Sequence, residues 1–254
     1  MDVAALLTRI GAARPSAPTA DALARLHTAQ SRSVPFENYD IQAGTPISLE
    51  VPDLVDKVVR RRRGGFCYEL NGLFAALLTA LGFDVTLVSA FEIGDDGTRG
   101  PEFDHLRLLV RTLDGEWIAD VGNGASWTGP VPLVPGTHGD VQVHRDGDLW
   151  WTADRRCDGS WQRGWNWTPV PRALADFSDR CRFQEHDPTS HFTGRRLAVL
   201  ATERGRISLL NGVFTEITDG RRQDRPVGAE EERALLAQRF GIVLDRPWRA
   251  LPAA

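Results

Sequence analysis

The sequence contains few cysteines, and they lie far apart along the chain. Its 254 residues include three of them, namely Cys67, Cys157 and Cys181. An odd number of cysteines at wide spacing, without a CxxC pair, does not build a disulfide framework or a zinc cluster. We therefore expect a reduced, cytoplasmic protein without a structural metal.

The chain also lacks long apolar stretches and a strong charge of either sign. Its apolar runs are a few residues long, far below the ~20 that a transmembrane helix needs. The start, Met1-Asp2-Val3-Ala4, is not a basic leader followed by an apolar run. The net charge is −4 and the isoelectric point about 5.9, which excludes a general attraction to nucleic acid or anionic membranes. Neither is a predicted partner.

The composition is sufficient for a folded core, since 42% of the residues are hydrophobic and 25% are charged. The hydrophobic pattern divides the chain into three regions. Residues 1–82 show helical periodicity, residues 83–185 show short strand-like runs, and residues 186–254 combine strands with a helix at 229–240. This order predicts a helical bundle, an antiparallel β-barrel or sandwich, and a small α/β unit.

The clearest predicted helix begins at Cys67, and Gly82 follows it as a stop signal. Its apolar stripe consists of Leu70, Leu73, Phe74, Leu77, Leu78 and Leu81. A shorter helical pattern covers 53–63. Strands are predicted at 85–93, 106–111, 116–121, 141–151, 197–202 and 206–210, with a hairpin signal at Asp114-Gly115.

Cys67 stands where a cysteine becomes a nucleophile. Gly64 and Gly65 predict a sharp turn that places Cys67 in the first turn of the helix, where the dipole and free N–H groups favour a thiolate. The alternative is a small core residue, the usual role of a free cysteine. Cys157 and Cys181 have no such setting and are interpreted as structural.

A nucleophilic thiolate needs a base and a group that orients the base. The residues alone leave the base open among six histidines. These are His27, His105, His138, His144, His186 and His191. For the orienting acid, Asp120 stands out because it follows Trp117-Ile118-Ala119 in an apolar strand, where a carboxylate must be paired. Asp104 is the competing candidate.

Four segments resemble the arylamine N-acetyltransferases in order and spacing, and the resemblance extends from about residue 20 to residue 242. They are Val34-Pro35-Phe36-Glu37-Asn38, the block Arg63-Gly64-Gly65-Phe66-Cys67-Tyr68-Glu69-Leu70-Asn71-Gly72, Asp104-His105-Leu106 and Asp120-Val121-Gly122. The resemblance implies an α+β fold with an N-terminal helical bundle, a central antiparallel β-barrel and a C-terminal α/β lid, around a cysteine-proteinase-like core. It also implies that Cys67, His105 and Asp120 are the catalytic residues.

The implied reaction is a ping-pong acyl transfer from acetyl-CoA, as co-substrate, to a small aromatic amine or hydrazine, with no permanently bound cofactor. The positions that match the substrate pocket are Phe36, Phe91, Asn123 and Gly124. The family commonly has Phe-Gly where this chain has Asn123-Gly124, so an aromatic surface is missing, unless Asn123 merely caps a turn. A second branch of the family remains an alternative. Its amide synthases release a polyketide from an acyl carrier protein as a macrolactam in ansamycin-type biosynthesis.

The strand spacing expected from the sequence does not agree with the implied His105–Asp120 pair. A tight hairpin centred on Asp114-Gly115 places Asp120 opposite Leu109, which is four residues, or roughly 13 Å, from His105. A bulge in the ladder, or a chain that folds back before His105, is then required.

Three other functions are weaker alternatives. The run Arg60–Arg63 resembles a nucleic-acid patch but is isolated in an acidic protein. The tryptophans at 150, 151, 161, 165 and 167 are typical of a carbohydrate module, although barrel packing explains them better. A cysteine protease shares the triad chemistry, but the long block around Cys67 argues against it.

Overall fold

The computed structural model describes residues 1–124, 127–156 and 158–248. Within these ranges the chain forms seven α-helices, with a π-helical turn at Asp56–Arg60 and a 3-10 turn at Leu174–Phe177. The helices are α1 (Val3–Ile10), α2 (Ala20–Ser33), α3 (Tyr39–Ala43), α4 (Val51–Val55), α5 (Cys67–Ala80), α6 (Ser178–His186) and α7 (Ala229–Phe240). None of the helices in the described ranges is long and apolar enough to cross a bilayer.

Thirteen strands in the described ranges form two antiparallel sheets. The strands are β1 (Phe36–Glu37), β2 (Asp84–Phe91), β3 (His105–Thr112), β4 (Gly115–Ala119), β5 (Val131–Pro132), β6 (Gly136–His138), β7 (Val141–Asp146), β8 (Leu149–Arg155), β9 (Trp161–Arg172), β10 (Leu197–Thr202), β11 (Gly205–Leu210), β12 (Val213–Thr218) and β13 (Arg221–Pro226). The larger sheet has the order β5-β4-β3-β2-β9-β8-β7-β6, and the smaller one has the order β1-β10-β11-β12-β13.

Helix α5 lies at the centre of the molecule. Its predicted apolar stripe is buried except at the half-buried Leu81, and it shares one apolar cluster with α1, α2 and the Leu108 and Val110 side chains of β3. The predicted start at Cys67 is confirmed, and the helix ends just before Gly82, whose φ of 90° suits glycine. Burial of the stripe anchors the start of α5, and with it Cys67, against the barrel.

The eight-stranded sheet curls into a nearly closed barrel. Val131 on β5 and Val141 on β7 come from opposite parts of the sheet, yet both pack in one interior cluster with Trp150 and Trp167. The packing role predicted for these two tryptophans is confirmed. The single strand predicted at 141–151 was wrong, because Gly147, with a φ of 56°, turns the chain between β7 and β8.

The five-stranded sheet joins the two ends of the chain. Strand β1 comes from the helical region and pairs with β10, with Phe36 opposite Val199. Helix α7 has the predicted bounds and packs on this sheet through Leu236 and Phe240. The helix predicted at 53–63 is interrupted instead, since α4 passes into the π-helical turn, where Lys57 is buried.

Candidate active site

The glycine pair before Cys67 is required by close packing rather than by an unusual backbone angle. A Cβ on Gly64 would lie 1.9 Å from the Pro35 carbonyl oxygen, and one on Gly65 would lie 2.6 Å from the Glu69 carboxylate. Neither glycine has a positive φ, so close packing explains the pair. The pair allows the β1 segment to lie directly against the start of α5.

Cys67 is the first residue of α5, and its side chain is 3% exposed. The helix start is held by Glu69, whose carboxylate accepts a hydrogen bond from the Phe66 backbone N–H at 3.1 Å. Gly122 packs against the same point, since a Cβ there would lie 2.8 Å from the Cys67 Cα. The loop that follows β4 therefore contacts the backbone of Cys67.

His105 is the first residue of β3, and it is buried between two partners. Its Nε2 lies 2.7 Å from Oδ2 of Asp120, and its ring is parallel to the Trp165 ring at a centroid distance of 4.6 Å. The backbone N–H of the next residue, Leu106, lies beside the Cys67 sulfur and favours its thiolate. The structure therefore pairs His105 with Asp120 and places the start of β3 beside Cys67.

Asp120 is completely buried directly after β4. Its carboxylate accepts hydrogen bonds from Asn71 Nδ2 at 2.8 Å, from Arg107 Nε at 3.1 Å and from the Gly122 N–H at 3.2 Å. Burial alone would raise the pKa of Asp120, but the charges of His105 and Arg107 and the hydrogen bonds hold it well below its usual range. Asp120 is therefore a permanently ionised carboxylate.

Asp104, the competing acid, faces away from His105. Its Oδ1 accepts hydrogen bonds from Arg180 Nη2 at 2.7 Å and from Gln184 Nε2 at 2.9 Å, both on α6. The preceding Phe103 has a φ of 63°, and its carbonyl accepts from the Tyr68 hydroxyl at 2.7 Å. Asp104 thus anchors the segment that leads into His105.

The distance discrepancy in the sequence analysis is resolved by the register of β3 and β4. Thr112 pairs with Gly115 and Leu108 with Ala119, so the turn residues are Leu113 and Asp114. Asp120 then follows opposite Arg107, only two residues from His105. The register between β3 and β4 is regular, so the bulge predicted as one alternative was wrong, and the hairpin lies one position earlier than its predicted centre.

The electrostatic environment of Cys67 opposes a free-standing thiolate. Burial and the negative charge of Asp120 raise the pKa of its thiol well above the ordinary value, whereas the Leu106 N–H lowers it. The lowering that the helix start predicts is outweighed by burial. A thiolate at this position therefore requires a base to take its proton.

Three residues that contact His105 or Asp120 were given no role there from the sequence, namely Asn71, Arg107 and Trp165. His27, which was one of six candidate bases, instead accepts a hydrogen bond through Nε2 from the Asp120 backbone N–H at 3.1 Å. Of these, Asn71 carries a sequence signal, because it lies four residues after Cys67 on the same helix face. The others depend on strand register and tertiary packing.

The predicted substrate residues lie in different surroundings. Phe36 is half-buried in the apolar cluster that contains Cys67, whereas the Phe91 ring lies under the Arg99 guanidinium at 3.9 Å. Asn123 Nδ2 donates to the carbonyls of Asp120 at 2.7 Å and Trp127 at 3.0 Å. Gly124 has a φ of 67°. These contacts give Asn123 a turn-stabilising role, and its place in a substrate pocket stays a prediction.

The remaining candidates are explained by packing or lie outside the described ranges. Cys181 is buried in the cluster with Cys67, and burial raises the pKa of its thiol. Cys157 is not among the described residues. Arg63 is buried in ion pairs with Glu37 and Asp40, so the arginine run is not a uniform basic surface. Across residues 1–124, 127–156 and 158–248, no cluster of three or more His, Cys, Asp or Glu side chains is arranged to hold a metal ion.

A cleft of about 600 Å³ opens next to Trp165, whose ring stacks on the His105 ring. Its walls come from the segment after β2, including Glu92 and Asp95, and from the start of β9, including Arg163 and Trp165. Trp165 thus belongs both to the wall of the cleft and to the surroundings of His105. The cleft is large enough for a small organic molecule.

Comparison with known proteins agrees with this geometry over nearly the whole chain. The sequence model of the N-acetyltransferase family matches residues 19–249. The arylamine N-acetyltransferase / N-hydroxyarylamine O-acetyltransferase of Salmonella typhimurium is 31% identical over 247 residues, covering 94% of this chain and 88% of that protein. The arylamine N-acetyltransferase of Mycolicibacterium smegmatis is 35% identical over 215 residues, covering 80% and 78%.

Solved structures give the same result. The structure of the M. smegmatis arylamine N-acetyltransferase superposes with a TM-score of 0.89 at 32% identity, covering 96% of this chain and 93% of that one. The Mycobacterium marinum arylamine N-acetyltransferase in complex with CoA superposes with a TM-score of 0.88 at 28% identity, covering 95% and 93%. The three-part α+β fold implied by the sequence resemblance is confirmed. The chain belongs to the arylamine N-acetyltransferase family and is an acyltransferase.

Proposed function

We propose that this protein transfers an acetyl group from acetyl-CoA to a small aromatic amine or hydrazine through an acetyl-Cys67 intermediate. The observation that carries the proposal is the 2.7 Å contact between His105 Nε2 and Asp120 Oδ2, directly beside the first residue of α5. A nucleophile, a base and an oriented acid in this order are the components of a triad.

In the first half-reaction, the His105 ring nitrogen that does not face Asp120 accepts the Cys67 thiol proton. The sulfur then attacks the carbonyl carbon of the acetyl thioester and forms a tetrahedral intermediate. The bond from that carbon to the CoA sulfur breaks, and CoA leaves as a thiol with the proton from His105. The products are acetyl-Cys67 and free CoA.

In the second half-reaction, the amine nitrogen attacks the carbonyl carbon of acetyl-Cys67. His105 accepts a proton from that nitrogen as the amide bond forms, and the bond from the carbonyl carbon to the Cys67 sulfur breaks. The proton returns to the Cys67 sulfur, so the enzyme is restored. An arylamine suits this step because its weak basicity leaves the nitrogen uncharged at neutral pH.

Asp120 selects the tautomer of His105 and stabilises the imidazolium that forms in each half-reaction. Its ionised Oδ2 accepts a hydrogen bond from Nε2–H of His105, which leaves the other ring nitrogen without a proton and free to act as a base. The backbone N–H of Cys67 supplies the oxyanion site, since the first N–H groups of a helix have no partner within the helix.

The donor is assigned from a relative. The M. marinum protein was solved in complex with CoA, and acetyl-CoA is the corresponding acetyl thioester. The relatives described above are acetyltransferases, so the comparisons give no support to an amide synthase or to an acyl carrier protein as partner.

Intact-protein mass spectrometry after a short exposure to acetyl-CoA tests the proposal. We expect one acetyl group on the wild type, located on Cys67 by peptide mapping, and its loss when 4-methylaniline is added. Cys67→Ala should acquire no acetyl group. Cys181→Ala is the matched control, because its thiol is buried in the same cluster, and it should still be acetylated. Acetylation of Cys67→Ala at the wild-type rate would overturn the proposal.

A further inference from the structure

A buried arginine lies beside the proposed triad, and no step of the reaction uses it. Arg107 is 1% exposed, and its Nε donates to Asp120 Oδ2 at 3.1 Å. The same oxygen lies 2.7 Å from His105 Nε2. One carboxylate oxygen is therefore shared between the imidazole and a guanidinium.

The guanidinium of Arg107 is held in place from three sides. Its Nη1 donates to the Thr152 hydroxyl on β8 at 3.2 Å. Its central carbon lies 4.9 Å from the Trp167 ring centre and 5.7 Å from the Trp127 ring centre. Because Arg107 lies two residues after His105 on β3, both side chains project from the same face of the strand. The cation therefore cannot move away from the pair without disrupting the barrel wall.

The His105–Asp120 pair is surrounded by ionisable groups from several elements. They are Cys67 on α5, His27 on α2, Arg107 on β3, Asp154 on β8 and Asp104, whose carboxylate is engaged by α6. Of these, Arg107 is the permanent cation in contact with Asp120. Asp154 partly offsets it, since the two side chains interact electrostatically and the buried Asp154 Oδ1 has no hydrogen-bond partner.

We propose that Arg107 is a positioning residue that fixes the Asp120 carboxylate against His105, so that the ring nitrogen facing away from Asp120 stays oriented toward Cys67. Arg107 and His105 share Oδ2, while Asn71 and Gly122 donate to Oδ1, so the carboxylate is held in a single orientation. This inference rests on the proposed role of His105 as the base for Cys67.

The test is the rate of Cys67 alkylation by iodoacetamide as a function of pH, followed by peptide mapping so that other thiols do not contribute. We expect Arg107→Met to lower the plateau rate about tenfold, because a carboxylate that turns away leaves His105 without its orientation. Arg107→Lys keeps a cationic donor and should return the plateau rate to within about threefold of the wild type. Arg111→Met removes an exposed cation from the same strand and should leave the plateau rate unchanged.

A purely structural role would lower the melting temperature of Arg107→Met and leave the plateau rate of alkylation unchanged, and that result would overturn the inference. If Arg107→Met does not fold, Thr152→Val carries the test, because it removes the hydroxyl that accepts a hydrogen bond from Nη1 of Arg107. The plateau rate should then fall by about threefold, and an unchanged rate would contradict the inference. No acetyl-CoA or amine is needed, so the result is separate from the acetyl-transfer assay. A profile that is unchanged in His105→Asn would instead overturn the proposed function.

Discussion

The backbone N–H of Asp120 donates a hydrogen bond to Nε2 of His27 across 3.1 Å. A second histidine therefore contacts the backbone of Asp120, whose carboxylate contacts His105. The His27 ring lies parallel to the Trp127 ring. Nε2 accepts a hydrogen bond only when it carries no proton, so this contact requires a neutral His27. Burial lowers the pKa of His27 from 6.5 to about 4.

We expect the protein to lose stability on acidification because of His27. Between about pH 6.5 and pH 4 the unfolded chain binds a proton at His27 that the folded chain excludes. The contribution is therefore complete above pH 6.5 and is lost as the pH falls toward 4, up to roughly 3 kcal/mol. Urea unfolding of the wild type and His27→Gln over this range measures it. The variant should show the shallower pH dependence, and equal slopes would contradict the assignment.

The buried thiol of Cys67 should depend on His105 for its reactivity. Burial and Asp120 raise the pKa of the thiol, so alone it would be protonated at neutral pH. We expect wild-type alkylation by iodoacetamide to reach a plateau below the free-thiol value of ~8.5, and His105→Asn to shift the midpoint above ~8.5. His138→Asn, at a half-buried histidine on β6 that contacts the Val134 carbonyl, is the control. A wild-type midpoint at or above ~8.5 would show that no proton passes to His105 in the resting enzyme.

Mutation should show which of the two candidate acids, Asp120 or Asp104, orients His105. Asp120→Asn removes the carboxylate that contacts both His105 and Arg107. We expect the rate of acetyl transfer to fall by at least ~100-fold, because His105 loses its orienting partner. The free energy of unfolding should fall by about 3 kcal/mol, because the buried Arg107 guanidinium loses its ion-pair partner. Asp104→Asn should keep most of the activity, because Asp104 contacts Arg180 and Gln184. Steady-state rates with thermal melts distinguish them. A highly active Asp120→Asn would reassign the orienting role.

Asn123→Phe tests whether this position serves the turn or the substrate. The Asn123 amide donates to the Asp120 and Trp127 carbonyls, so we expect the variant to be about 1–2 kcal/mol less stable, with arylamine and bulky acyl-thioester turnover reduced together. Parallel losses on both substrate classes, relative to the wild type, support the turn role. A gain on small arylamines with a loss on bulky thioesters would instead place Asn123 in the acceptor pocket, where an aromatic ring adds stacking.

The elements that local periodicity defines were predictable from the sequence. The apolar stripe of α5 and the bounds of α7 follow from the helical repeat, which places residues three and four positions apart on one buried face. The residues that contact Asp120 were not predictable in this way. Arg107, Trp165 and His27 approach the site from β3, β9 and α2, and only the fold places them together.

The β3–β4 turn shows why the register was mispredicted. The Asp114-Gly115 signal predicts a turn centred on those residues, but the Thr112 hydroxyl donates to the Gly115 carbonyl and accepts from the Asp114 N–H. Tertiary contacts also hold the turn, since the Ala20 N–H donates to Asp114 and the Leu113 N–H donates to Pro18. These partners lie more than ninety positions away in the chain, so turn propensity does not include them.

Lys57, the single lysine of the sequence, should be unreactive in the folded protein. Its ammonium is buried and lies 2.7 Å from Asp40 Oδ2 and 2.6 Å from Glu69 Oε1. Although burial opposes the charge, the surrounding carboxylates raise the pKa of Lys57, so no free amine is available to an acylating reagent. We expect an N-hydroxysuccinimide acetate to modify the Met1 α-amino group rapidly and Lys57 at least ~100-fold more slowly, with the difference lost in 6 M guanidinium. Peptide mapping over time gives both rates. Equal labelling of the two amines under native conditions would show that the Asp40–Lys57–Glu69 cluster opens without global unfolding.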